Sequence, residues 1–153
     1  MRRTKANQAK SAFKTVVQTI EKLELEHTVN ADTLEVFFTV RDMRLRMVVD
    51  PVRCLVRLRT PITNLPEDKR PGGAIIVTAI NYSLIAGKFD YDVRDGEVCY
   101  EHSIYYRDGI LSIAMIEYLI DIVSDSTDCY DDHIRAYGDG TESMEDVLEF
   151  VYS

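Results

Sequence analysis

Apolar residues recur at intervals of three and four along the first part of the chain. Ala9, Phe13, Val16, Val17, Ile20 and Leu23 form one stripe, with Lys10, Lys14 and Lys22 off it. The spacing predicts a helix over about 4–26. The period then drops to two. Leu34, Val36, Phe38 and Val40 alternate with Glu35, Phe37 and Thr39. Met43, Leu45, Met47 and Val49 alternate with Arg44 and Arg46, and Cys54, Val56 and Leu58 with Arg53, Leu55, Arg57 and Arg59. Alternation over three short runs, with a turn at Asp50-Pro51, predicts three antiparallel strands, each with one buried face.

Three of the four prolines lie in 61–73, PITNLPEDKRPGG, which predicts a surface loop. The next segment, about 73–86, is apolar almost all round and predicts a buried helix stopped by Gly87. Two strands, about 88–94 and 97–105, flank Asp95-Gly96, a strong hairpin signal. Tyr106-Arg107-Asp108-Gly109 then turns into a long helix. Its stripe of Ile113, Ile116, Ile120, Val123, Thr127, Tyr130, Ile134 and Tyr137 fits one helix of roughly 27 residues, or two broken near Ser124-Asp125-Ser126. Met144, Val147, Leu148 and Val151 outline a short acidic tail helix over about 141–152, with Thr141 as its N-cap. The predicted fold is α+β and two-layered: an antiparallel five-stranded sheet with helices packed on one face, in the order α-β-β-β-α-β-β-α plus the tail helix.

At 153 residues the chain is expected to form a single domain, 1–153. No apolar run reaches the ~18 residues of a membrane helix. The basic N-terminus, MRRTKANQAKSAF, lacks the apolar region of a secretory signal. Three scattered cysteines, Cys54, Cys99 and Cys129, form no CxxC pair and are expected as buried, reduced thiols. Together these features predict a cytoplasmic protein with no membrane insertion. The formal charge is −8 and uneven: residues 1–85 hold 14 Lys/Arg against 9 Asp/Glu, residues 86–153 only 4 against 17. Halves of opposite sign attract within a domain or between subunits, and the net charge argues against nucleic-acid binding.

The acidic stretch FDYDVRDGEVCYEHS, residues 89–103, invites a calcium reading. Counted from Asp90, Asp92 and Glu101 fall at positions 3 and 12 of an EF-hand loop, but Arg94 takes position 5 and Gly96 comes one residue late. The alternation favours a hairpin instead. His27, His102 and His133 share no ligand spacing; His102 reads as a core-edge residue, and Asp128, Asp131 and Asp132 near His133 read as a solvated outer face. The serines lack a Gly-x-Ser-x-Gly elbow, and Gly72-Gly73 lacks the remainder of a phosphate-binding loop. No catalytic residue, metal site or cofactor is predicted.

The helix ending in glycine, the Phe-Asp-Tyr-Asp strand and the Asp-Gly hairpin lie in AINYSLIAGKFDYDVRDGEVCYEHSIYYRDGILS, residues 79–112. That stretch resembles the YbjN-like family of bacterial proteins, described as sensory transduction regulators and similar in fold to type III secretion chaperones. The element order extends the resemblance over roughly 5–137; the six arginines of 41–59 and the acidic tail have no counterpart in it. The resemblance implies a small, non-enzymatic, cytoplasmic protein, often dimeric, that binds other proteins.

The residues themselves supply a candidate surface. Phe37, Arg44, Arg46, Val48, Arg53, Leu55, Arg57 and Arg59 would share the outer sheet face, and apolar side chains mixed with arginine suit a protein interface. Asp90, Asp92 and Glu101 of the hairpin could instead pair with these arginines inside the monomer. The expected function is therefore protein binding, chaperone-like or regulatory, with a homodimer suggested by the apolar second helix. The alternative is a cytoplasmic regulator that takes a nucleic acid or small ligand on the arginine face.

Overall fold

The computed structural model describes residues 4–107, 109 and 111–153. Asp108 of the predicted turn, and Met1, Arg2 and Arg3 of the basic N-terminus, lie outside the described residues. The chain forms α1 (Lys5–Lys22), β1 (His27–Asn30), β2 (Glu35–Val40), β3 (Met43–Asp50), β4 (Leu55–Asn64), α2 (Arg70–Ser83), β5 (Lys88–Tyr91), β6 (Glu97–Tyr105), α3 (Ile113–Asp139) and α4 (Met144–Tyr152). The fold is α+β. Its sheet has six strands rather than five, in the order β1-β2-β3-β4-β6-β5, with antiparallel pairing at β1/β2, β2/β3, β3/β4 and β5/β6. The additional strand is β1, His-Thr-Val-Asn. It is too short and too polar to show alternation, and pairing with β2 alone defines it.

Contacts divide the chain into two compact units, Met1–Thr60 with His102–Ser124, and Pro61–Glu101 with Asp125–Ser153. In the first unit, Val36, Phe38, Leu45, Met47, Val49, Val56 and Leu58 are buried on one sheet face. α1 packs against β3 and contributes Ala9, Ala12, Val16 and Ile20. α1 stops at Lys22, four residues earlier than its pattern suggests. Leu25 N–H bonds to the Ile20 carbonyl and Glu24 N–H to that of Glu21, a Schellman close with Glu24 at φ +54.

In the second unit, α2 packs against β5 and α4. The predicted loop 61–73 is largely ordered structure. β4 continues through Pro61 to Asn64, beyond the residues 55–59 that pair with β3, so proline's missing N–H costs no bond to that strand. A 3-10 turn at Glu67–Lys69 leads into α2 at Arg70, with Pro71 in its first turn, where a missing N–H is tolerated. Gly87 does not end α2; Leu84 does, in extended conformation. Gly87 sits at φ +68, and a Cβ there would lie 2.2 Å from the Tyr100 hydroxyl, which donates to Ala86 O at 2.6 Å.

α3 is one unbroken helix of 27 residues. Asp131 on it is buried, against the outer-face expectation, and pairs with Arg135 at 2.5 Å. α4 is capped by Ser143, not Thr141: Ser143 Oγ accepts from Asp146 N–H, and Asp146 accepts from Ser143 N–H, a reciprocal capping box. Cys54 and Cys99 are buried, whereas Cys129 is exposed.

Candidate functional site

Strand register in the first unit assembles the predicted surface. Glu35 stands opposite Val48, Phe37 opposite Arg46, and Thr39 opposite Arg44. Arg46 also faces Arg59, Val48 faces Arg57, and Asp50 faces Leu55. Because strand side chains alternate between faces, these residues lie together on the side away from the buried face. Phe37 is 46% exposed, and Arg44 and Arg46 are exposed; Val48, Leu55, Arg57 and Arg59 are half-buried.

Arg53 reaches Asp50 of this face from a turn and not from a strand. It lies in the turn 51–54, where its guanidinium pairs with Asp50 at 3.0 Å. Asp50 also accepts the backbone N–H groups of Val52 and Arg53, and the Arg53 amide is the leading cause that lowers its pKa. Cys54 takes φ +58 as the chain turns, so β4 begins one residue later than the alternation implies.

The face has its own electrostatic order. Arg46 donates to Glu35, and that bond holds the Glu35 carboxyl below its usual range. The Arg46 guanidinium also lies 5.9 Å from the Phe37 ring centre, cation over π face. Like charges directly opposite each other repel, so the Arg46/Arg59 juxtaposition favours acceptors close by. Arg57 and Arg59 are not free of partners. The surface thus offers an aromatic ring and short aliphatic patches framed by guanidinium donors.

Three of the hairpin carboxylates bind their own neighbours. Asp90 pairs with Lys88 at 2.5 Å, and Asp92 with Arg94 at 2.6 Å, which pulls the Asp92 pKa down to about 2. Asp95 accepts the Glu97 N–H. These acids sit on a hairpin, and no group of three or more His, Cys, Asp or Glu among the described residues could hold a metal ion. The hairpin loop is longer than the two residues predicted. It spans 92–96, because Asp92 N–H bonds to Glu97 O and Gly96 N–H to Asp92 O. Gly96 takes φ +78 and lies against Leu65, whose N–H donates to Gly96 O at 2.8 Å.

Each histidine has its own surroundings. His27 Nδ1 lies 2.7 Å from Leu25 O. His102 is half-buried on β6, and burial lowers its pKa. His133 Nδ1 lies 2.8 Å from Glu142; the carboxylate only accepts, so the ring proton sits on Nδ1.

The sequence did not expose a second surface, in the second unit. Ala74, Ile75, Thr78, Ala79 and Tyr82 of α2, with Leu148 and Tyr152 of α4, line an open groove of about 620 Å³. Ile75 is 50% exposed and Tyr82 87% exposed. The signal was available: Ile75, Thr78 and Tyr82 follow i, i+3, i+7 spacing, and the two polar members marked a wet side on a helix read as buried all round.

A model of the YbjN family, described as "Putative bacterial sensory transduction regulator", matches residues 12–136. The chain belongs to the YbjN family. The crystal structure of YbjN from E. coli superposes with a TM-score of 0.65 at 12% identity, over 82% of this chain and 92% of that one. The ExsC–ExsE complex superposes with a TM-score of 0.59 at 12% identity, over 86% of this chain and 96% of the other. The HopA1–SchA chaperone–effector complex gives 0.51 at 15%, over 82% and 91%. At these identities the solved structures show the fold that this YbjN-family chain shares with them. No curated protein matches it. No helix among the described residues is long and apolar enough to cross a membrane.

Proposed function

We propose that this YbjN-family chain is a non-enzymatic, cytoplasmic protein-binding module, chaperone-like or regulatory, whose contact surface is the β2–β4 face. The observation that carries the reading is the mixture on that face: Phe37 exposed beside Arg44 and Arg46, with Val48 and Leu55 between the strands' arginines. Aromatic and arginine side chains are enriched at protein interfaces, where a planar guanidinium pairs with carboxylates. The likeness to the ExsC–ExsE complex and to the HopA1–SchA chaperone–effector complex supports the same reading. The partner surface that fits is apolar and acidic. Affinity purification with wild type and a Phe37→Ala/Arg44→Glu variant tests it. The wild type is expected to retain partners that the folded variant loses, and retention is expected to weaken as salt rises. Equal recovery by both baits overturns it.

Self-association of two copies belongs to the same reading and is favoured by Ile75, Tyr82 and Ile85, all at least half exposed along or just after α2. Light scattering after gel filtration tests it; a mass of one chain at every concentration removes it.

A further inference from the structure

Residues 71–87, PGGAIIVTAINYSLIAG, carry no charged side chain in a chain that is 29% charged. They are nonetheless far from wholly buried. Ile76, Val77 and Ile80 take one side of α2 into the core of the second unit. The other side exposes Ile75 and Tyr82, with Thr78 exposed between them. Across the groove Tyr152 of α4 is 65% exposed, and Ile85, in the turn after α2, is fully exposed. Taking about 200 Å² for a whole tyrosine side chain, Tyr82 and Tyr152 alone leave roughly 300 Å² in water. With Ile75, Ile85 and the groove walls, the patch reaches a size that marks an interaction site and approaches the roughly 600 Å² per copy of a small specific interface.

We propose that this face is covered by the same face of a second copy, with the two α2 helices antiparallel about a two-fold axis at Thr78. The proposal rests on the self-association reading and names its interface. The face tapers, from Ala74 at one end to Tyr82 at the other. Both residues stand four positions from Thr78, about one helical turn, on the same side of the helix. The axis therefore lays the Tyr82 ring of each copy over Ala74 of the other, inside the groove. A surface whose small end receives its own large end is self-complementary, as a two-fold contact requires, and the contact closes at two chains. Charge favours the same occupant. The chain carries −8, so copies repel one another through much of their surface, whereas the α2 side of this face sets no charge against its like. Covering Thr78 strands no hydroxyl, because its Oγ1 already donates to Ala74 O at 2.7 Å.

The test uses the full chain. Light scattering after gel filtration, over a range of concentrations, is expected to give the mass of two chains for wild type and for Phe37→Ala/Arg44→Glu, which is altered only on the sheet face. Tyr82→Glu, at a position 87% exposed, is expected to weaken the pair at least about tenfold, through the loss of one covered aromatic from each half. Cys54 and Cys99 are buried, so Cys129→Ser removes the exposed thiol. In that background Thr78→Cys is expected to form a covalent dimer under mild oxidation, because facing positions of closely packed helices come within disulfide reach. Lys10→Cys on α1 is expected to form none. Circular dichroism shows whether Tyr82→Glu keeps its fold; where it does not, the cross-link gives the answer. A mass of one chain at every concentration removes the self-association reading and this interface with it. A pair that survives Tyr82→Glu, or that gives no Thr78→Cys cross-link, leaves that reading standing and overturns the α2 interface.

Discussion

At the scale of single residues, backbone sign matters more than side-chain chemistry. Glu24 occupies the left-handed position that closes α1, a place usually taken by glycine. Left-handed backbone costs a residue with a Cβ about 1–2 kcal/mol, partly offset by the greater unfolded-state entropy of glycine. Glu24→Gly is therefore expected to raise stability by about 0.5–1 kcal/mol, read as a higher urea midpoint with unchanged slope. Gly96 is the opposite case. It combines φ +78 with a Cβ position 2.2 Å from the Leu65 carbonyl oxygen and 2.9 Å from its nitrogen. Gly96→Ala must both strain the turn and push the Leu65 backbone away, so a loss of about 2–4 kcal/mol is expected in the same measurement. The Asp-Gly pair made the turn legible in the sequence. The contact with Leu65, thirty-one positions away, left no trace there, and neither did the end of α1, because no glycine marks it.

At the scale of elements, periodicity told helix from strand reliably wherever a segment was long and half-buried. β2, β3 and α3 lie where their patterns put them, and of the two readings the stripe left open near Ser124-Asp125-Ser126 the unbroken helix is the one that forms. Elements defined by partners were less legible. β1 exists because β2 pairs with it, β4 outruns its alternation past Pro61, and Arg53 falls in the turn before β4, where Cys54 takes a positive φ. The candidate face was readable because register is set by the alternation itself; the groove beside α4 was not, because it depends on where the tail helix lands. The edge strand β5 depends on a side chain for closure. The Asn81 amide donates to Phe89 O at 2.9 Å and accepts from Phe89 N–H at 2.8 Å, replacing both bonds of a neighbouring strand. Asn81→Ala leaves two backbone groups without those partners. A loss of about 1–3 kcal/mol is expected, with faster amide exchange at Phe89 as the local check.

At the scale of the whole molecule, five of the nine tyrosines set the response to alkali. Burial is the leading cause that raises the phenols of Tyr91, Tyr100, Tyr106, Tyr130 and Tyr137, and Tyr106, which donates to Asp50 O at 3.0 Å, reaches about 12. In the unfolded chain a tyrosine ionises near 10. The folded state holds these protons longer, so their contribution to stability is intact below about pH 10 and lost as pH rises through 12. Phenolate absorbance and circular dichroism, followed together, are expected to change in one concerted step above pH 10 for these five tyrosines. Ionisation of these five near pH 10 with unaltered dichroism would contradict this. Composition foretold the uneven charge but not this behaviour, which comes from burial.

The amide of Asn81 has a further effect on how copies of this chain can add to one another. With one border of the sheet already capped at Phe89 by that side chain, the β1 border is, among the described residues, the one left to recruit a foreign strand. Two molecules joined through it would present no second unoccupied margin to a third, so polymerisation by this route terminates at a pair. A chain lacking the amide would have both margins available, and fibrous aggregates would be the sign that the stopper is gone.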